Sequence, residues 1–252
     1  MNKYRISYIT TIYGVEPYIA KFAESFLGQT YDDIQFIFVN DGTKDASMDI
    51  LNRLIEERFS HLKERIVIIN KQNEGLPLAR KSGLDAAEGE YVLFADADDW
   101  VEPNLIERVM SVADDTHADI IYFDIVKEYG HKRSIKHERE YTAATRELWI
   151  ENIFNYRAQG YTATKCFRRA LYTDNHIFIP KLGMHEDMYL MAQIICRAES
   201  IVHLPEVLYH YRKDNANAMC SQRRKVRHIA SSRNMLDLYS KFMDNLAESP
   251  IK

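Results

Sequence analysis

Apolar residues fall along the first hundred positions in short unbroken runs, separated by longer amphipathic stretches. RISYITTI (5–12), IQFIFV (34–39), IVIIN (66–70) and YVLFA (91–95) read as strands. Their apolar positions are continuous rather than alternating, the pattern of strands covered on both faces. Between the first two runs, VEPYIAKFAESFLGQ (15–29) sets Ile19, Phe22, Phe26 and Leu27 along one helical stripe, with Pro17 in its first turn. A second helix is expected from Asp45 as N-cap, with Leu51, Leu54, Ile55 and Arg58 along one face. A third follows Gly75, with Pro77 near its start and Gly89 just past its end. Four alternations of strand and helix predict an α/β fold with a mainly parallel sheet flanked by helices.

The second half is less regular. Helices are expected over 104–113, 144–155 and 187–198, and a strand over DIIYFD (119–124). IVHL (201–204) and VLYHYR (207–212) read as a β-like pair around Pro205, and a long helix is expected from about 221.

The predicted strands end in polar residues. Thr11 and Tyr13 stand near the end of the first, Asn40-Asp41-Gly42 after the second, Asn70 after the third and Asp96-Ala97-Asp98-Asp99 after the fourth. In a parallel sheet these ends share one rim, where ligands bind. Three carboxylates within four residues repel and raise one another's pKa. As helix caps they leave that repulsion uncompensated, whereas a hard divalent cation held against a diphosphate removes it.

Other nucleotide chemistries fit less well. No Gly-x-Gly-x-x-Gly follows a strand, and there is no Gly-Lys-Ser/Thr. A calcium loop counted from Asp96 would need Gly where Val101 stands. An Asp-nucleophile phosphatase or phosphotransferase, acting through Asp96, is the sharpest rival. Its motif wants Thr or Val where Trp100 stands, and places the Asp-x-Asp on the first strand instead of the fourth. A nucleotide-sugar-binding protein without catalysis is a third possibility.

Composition adds limits. The chain has 252 residues, 46% of them hydrophobic and 28% charged, and a net charge of −4, which argues against bulk nucleic-acid binding. Residues 211–241 nevertheless carry eight Lys/Arg against Asp214 and Asp237. Arg223, Arg224, Lys225 and Arg227 fit either a peripheral membrane contact or a solvated helix face. Cys166, Cys196 and Cys220 show no metal-site spacing and suit a reducing cytoplasm. No apolar run reaches transmembrane length.

Several blocks, in order, resemble one family. ISYITTIYGVEPYIAKFAESFLGQTYDDIQFIFVNDGTKDAS is similar to the opening of glycosyltransferase family 2, an inverting family of GT-A fold. NEGLPLARKSGLDAAEGEYVLFADADDW resembles its Asp-x-Asp block, GMHEDMYL its later acidic pair, and His210-Tyr211-Arg212 a late block. The resemblance implies one GT-A domain over 1–220, with a nucleotide-sugar-binding half (1–103) and an acceptor-binding half (104–220), followed by a basic helical extension (221–252). It implies a UDP-sugar donor, a Mn²⁺ or Mg²⁺ ion, and a hydroxyl on a glycan or lipid-linked glycan as acceptor. The setting would be bacterial surface polysaccharide synthesis, in the cytoplasm or at the inner face of the membrane.

Carried over by position, Thr11, Tyr13 and Asp41 would line the base pocket, with Tyr13 offering a ring and Asp41 also serving its own turn. Arg80 would face the nucleotide or diphosphate, or else lie solvated on the surface. Asp98 would be the main metal ligand, Asp96 a ribose or metal contact, and Asp99 an orienting neighbour. His210 would complete the metal shell, or else be structural. Asp187 would be the general base with Glu186 in support, or the two exchanged. Lys165, in TATKCFRR, matches a family lysine of open role.

Overall fold

A computed structural model describes residues 2–129, 132–136, 145–155, 157–179, 185–215 and 240 of the chain. The basic extension expected from 221 (residue 240 apart), Cys220, and Gly183 and Met184 of the later acidic block lie outside the described residues.

The first four strands are β1 (Tyr4–Ile12), β2 (Ile34–Asn40), β3 (Ile66–Asn70) and β4 (Gly89–Asp96). Helices α1 (Ile19–Leu27), α2 (Ser47–Arg58) and α3 (Leu76–Asp85) connect them. Next come β5 (Trp100–Val101), α4 (Leu105–Thr116), β6 (Ile120–Tyr129) and β7 (Lys132–Lys136). The last elements are α5 (Arg146–Phe154), β8 (Lys165–Arg168), α6 (Ala170–Thr173), α7 (Glu186–Arg197) and β9 (Ile201–Arg212).

Among the described residues the strands form one sheet in the order β3-β2-β1-β4-β8-β6-β9-β5, with β7 on β6. Strands β3, β2, β1 and β4 are parallel, as their continuous apolar runs require. Beyond β4 the sheet is mixed: β8 runs antiparallel to β4 and β6, while β9 runs parallel to β6. Because β2 and β4 flank β1 on opposite sides, the order reverses there, and a crevice opens beyond the strand ends. Register fixes the rim: Thr11 lies beside Asp96 on one side and Val39 on the other, and Asn40 lies beside Asn70.

Alternate residues of the strands feed two cores. Ile6, Tyr8, Phe36 and Phe38 pack with Phe22 and Phe26 of α1 and with Leu105 and Val109 of α4. Ile9, Ile37, Val39 and Phe94 face the other way, with Ala79 and Leu84 of α3, Trp149 of α5 and Ile194 of α7.

Four local expectations change. Helix α1 starts at Ile19, because residues 15–18 form a turn closed by Tyr18 N–H and Ile19 N–H on the Val15 carbonyl. Ala46 occupies the N-cap of α2, while Asp45 Oδ1 accepts from the Ser47 amide at 3.2 Å and from its hydroxyl at 2.6 Å. Residues 201–212 form a single strand: β6 pairing passes from Leu204 to Val207, so Pro205, which has no N–H to give, sits in a bulge.

Gly89 begins β4 instead of ending the preceding helix. Its N–H donates to Ser7 Oγ at 2.8 Å, and Ser7 Oγ donates to Gln35 Oε1 at 2.5 Å. A Cβ at Gly89 would stand 2.3 Å from the Ser7 backbone nitrogen, so the two strands approach too closely for any side chain there. Gly89→Ala should therefore cost about 1–3 kcal/mol in urea unfolding, the scale of overpacking a close-packed core. A cost indistinguishable from that of Glu88→Ala, one residue earlier, contradicts this account of the contact.

Candidate active site

A cavity of about 590 Å³ opens at the rim. Thr11, Tyr13, Asp41, Arg80, Asp96 and Asp98 line one side, from the ends of β1, β2 and β4 and from α3. Glu186 and Asp187, at the start of α7, and Tyr209, Tyr211, Lys213 and Asn215, at the end of β9, also line it. Every candidate site residue except His210 and Lys165 therefore borders the same space.

Arg80 is only 5% exposed, not a solvated surface arginine. One terminal nitrogen donates to Asp96 Oδ1 at 3.0 Å, the other to Glu186 Oε1 at 3.1 Å. A single guanidinium thus joins the two acidic segments of the cavity. A planar fork suits this, because it carries two donors in fixed directions.

Asp41 is buried and accepts two backbone bonds, from Glu74 N–H at 3.1 Å and from Gly75 N–H at 3.0 Å. It thereby fixes the loop that leads into α3 and so the position of Arg80. Tyr13 is 56% exposed at the cavity mouth.

The three aspartates after β4 differ in environment. Asp99 is buried, with Oδ2 accepting from the Tyr209 hydroxyl and Oδ1 from the Arg212 amide, both at 2.7 Å. Burial, reinforced by Asp98 and Asp96, holds its carboxyl well above the ordinary range. Both oxygens serve as an anchor between the loop and β9. The Tyr209 hydroxyl also accepts from the Asp96 amide at 3.0 Å. Asp98 has Oδ2 held by the Asn215 side-chain amide at 2.8 Å, and Arg212 Nε donates to its carbonyl at 2.7 Å. Burial, then the charge of Asp96, raises the Asp98 carboxyl, and Asn215 and Arg212 oppose that rise.

This donor set suits a divalent ion of one kind. Among the described residues no three His, Cys, Asp or Glu side chains converge on one point. A site built on Asp98 with Asp96 beside it would therefore need oxygens from a bound diphosphate, the habit of Mg²⁺ and similar hard ions. The charge of Asp96, second to burial in raising the Asp98 carboxyl, is what such a cation would offset.

His210 is turned away. Its Nε2 lies 2.7 Å from Glu102 Oε1, its Nδ1 lies 3.1 Å from Glu128 Oε1, and its ring stacks on Trp100 at 5.1 Å. Two carboxylates occupy both ring nitrogens, so the structural reading of His210 replaces its place in a metal shell. Strand alternation explains this, since Tyr209 and Tyr211 face the cavity and His210 points the other way. Arg212 lies over Trp100 at 4.9 Å and Tyr18 at 4.8 Å. Tyr209 and Asn215 are site residues that motif reading passed over, although period-two counting from the Tyr-His-Tyr-Arg run would have marked Tyr209. Lys165 is fully buried, donating to the Tyr161 carbonyl at 3.3 Å and to Thr164 Oγ1 at 3.2 Å.

The acidic pair splits in the same way. Glu186 is buried and tied to Arg80, while Asp187 is half-buried and accepts from the Met188 amide at 2.8 Å. Burial, then Asp187, lifts Glu186 to about 7 against the pull of Arg80. Burial also raises Asp187, with Arg80 opposing.

Residues 7–173 match the glycosyl transferase family 2 model. The protein is 30% identical over 213 residues to EpsH of Bacillus subtilis, covering 82% of this chain and 60% of that one. It is 30% identical over 222 residues to the glycosyltransferase GlyA of Streptococcus pneumoniae, covering 82% of this chain and 30% of that one. The chain thus spans less than two thirds of the length of these relatives. S. aureus TarS 1–349 in complex with UDP-GlcNAc superposes with a TM-score of 0.71 at 23% identity, over 86% of this chain and 61% of that one. The mannosyltransferase PcManGT from Pyrobaculum calidifontis, in complex with GDP-Man and Mn²⁺, gives 0.65 at 16% identity, over 96% and 65%. The fold is of the GT-A class, an α/β mixed sheet flanked by helices. The chain belongs to glycosyl transferase family 2. That membership displaces the Asp-nucleophile phosphatase as a reading of Asp96. Among the described residues no helix is long and apolar enough to cross a membrane.

The Glu186 shift carries a stability signature. A carboxyl that binds its proton more tightly when folded holds more protons in the native state between its ordinary pKa and about 7. Stability from this group should therefore fall as pH rises through that window, by at most about 3 kcal/mol. Urea unfolding across pH 4.5 to 7.5 should give a shallower fall for Glu186→Gln than for wild type. Parallel profiles contradict the assignment.

Proposed function

We propose that this protein is a metal-dependent inverting glycosyltransferase that moves a sugar from a UDP-sugar to a hydroxyl of a glycan or lipid-linked glycan acceptor. One observation carries the proposal: Arg80 ties Asp96, at the end of β4, to Glu186, at the start of α7, around a single cavity. Family membership supports the reaction class, and TarS bound to UDP-GlcNAc supports the donor class.

On this reading residues 1–103 bind the donor and 104–220 the acceptor. Thr11, Tyr13 and Asp41 receive the base and ribose at the mouth of the cavity. Asp98, with Asp96 beside it, would hold the Mn²⁺ or Mg²⁺ ion, which when bound neutralises charge on the leaving diphosphate. Arg80 keeps Asp96 oriented and adds positive charge behind it.

Single displacement with inversion needs a base on the face of the sugar opposite the diphosphate. Asp187 is the better candidate of the acidic pair, because Glu186 is committed to Arg80. Asp187 takes the proton from the acceptor hydroxyl as its oxygen bonds to the anomeric carbon. The carbon–oxygen bond to the diphosphate breaks, and UDP leaves with that electron pair. The charge of Arg80 also acts on Asp187, which the Met188 amide holds.

The expected setting is bacterial surface polysaccharide synthesis at the cytoplasmic face of the membrane, with the basic residues after 221 near anionic lipid.

Two variants test the roles separately. Calorimetry should show UDP binding that strengthens with Mn²⁺ in wild type, and Asp98→Ala should lose the Mn²⁺-dependent part. Binding indifferent to Mn²⁺ in wild type rules out the proposed metal site. Asp187→Asn should keep Mn²⁺-dependent UDP binding yet lose about 10²–10⁴-fold in turnover, measured as UDP release across a UDP-sugar panel. Unchanged turnover in that variant transfers the base role elsewhere.

A further inference from the structure

The cavity wall farthest along β9 carries aromatic rings and a cation. Tyr161 and Tyr211 both line it, and their rings meet edge to face, 5.9 Å between centroids and 64° between planes. Lys213 lines it as well, with its ammonium 3.9 Å from the centre of the Tyr211 ring. All three side chains are half-buried.

Each is held on rigid backbone. Lys213 N–H donates to the Glu128 carbonyl at 2.8 Å, prolonging the β6–β9 pairing past Arg212. Lys165 holds the turn that bears Tyr161 through that residue's carbonyl. An aromatic pair fixed in this way sets apolar ring surface beside a cation.

The charge balance gives the cation a use. Asp96, Asp98, Asp99, Glu186 and Asp187 make the cavity strongly acidic. Arg80, the arginine lining it, is already held by two of these carboxylates. An anion that enters this cavity meets repulsion unless a positive group receives it, and Lys213 is a cation of the cavity wall. The C–H face of a sugar ring packs against aromatic rings, while a lysine ammonium serves as a point-charge donor to a carboxylate or phosphate.

We infer that Tyr161, Tyr211 and Lys213 form an acceptor subsite for a sugar ring that bears a negative charge, either a carboxylate or a phosphate. The inference rests on the glycosyltransferase reading above. Lys213 confers preference for the charged sugar, and the tyrosine pair binds its ring.

The test uses the full chain saturated with UDP and Mn²⁺, with binding of three probes followed by NMR titration: methyl β-D-glucuronide, glucose 6-phosphate and methyl β-D-glucoside. At least one charged probe should bind about tenfold more tightly than the neutral one, the scale of one charge-assisted hydrogen bond. The tighter of the two charged probes distinguishes carboxylate from phosphate. Lys213→Gln should abolish the preference and Lys213→Arg should restore most of it, with UDP affinity unchanged in both. Tyr211→Ala should weaken all three probes together. Equal binding of charged and neutral probes, no binding by any of them, or a loss of UDP affinity in Lys213→Gln overturns the subsite. Failure of UDP itself to bind wild type sinks the glycosyltransferase reading instead, and is seen before any sugar is added.

Discussion

A buried guanidinium needs compensating charge, and Arg80 finds it in two carboxylates from opposite halves of the chain. Asp96 closes the last strand of the parallel region, and Glu186 opens a helix ninety residues later. Their attraction to one cation brings the two acidic segments to one cavity. Removing either partner of such a pair leaves an uncompensated charge, which costs far more than the pair contributes net. The position of Arg80 in turn rests on tight helix-to-strand packing. A Cβ at Gly83, in α3, would stand 2.4 Å from Ile9 of β1. Asp41 fixes the other end of that helix through the Glu74 and Gly75 amides.

With those charges placed, the acidic residues fall into two kinds. Asp99 and Glu186 are consumed: the first by Tyr209 and the Arg212 amide, the second by Arg80. Asp98 and Asp187 are the ones that remain for incoming chemistry, each held by a single donor at its carboxylate. Burial lifts all four above the ordinary carboxylate range, so each holds its proton more readily than in water.

The parallel half of the fold was legible because its signals are local. Continuous apolar runs, a strand–helix alternation and polar strand ends are all visible within short windows, and the register of β1 with β2 and β4 then aligns the rim. Gly89 was misread because its constraint is a contact with Ser7, a residue distant in sequence. The mixed region was less legible because β8 and β5 are short and are ordered by their neighbours. The acidic candidates were found by type and order, but their division into anchored and open groups depends on partners such as Tyr209 and Asn215. For His210 the resemblance left a metal ligand and a structural role both open, and its parity in the strand favours the second. The same parity places Tyr211 and Lys213 on the cavity wall.

The central claim is that the open carboxylate of Asp98 and the diphosphate of a nucleotide share one divalent ion, across the cavity from Asp187. A crystal structure with UDP and Mn²⁺, with data collected at the manganese absorption edge, tests it most directly. The account predicts one anomalous peak between Asp98 and the diphosphate oxygens, with the uracil near Tyr13 and Asp41 and with Arg80 still bridging Asp96 and Glu186. An anomalous peak at His210, or UDP bound with its diphosphate away from Asp98, would contradict it.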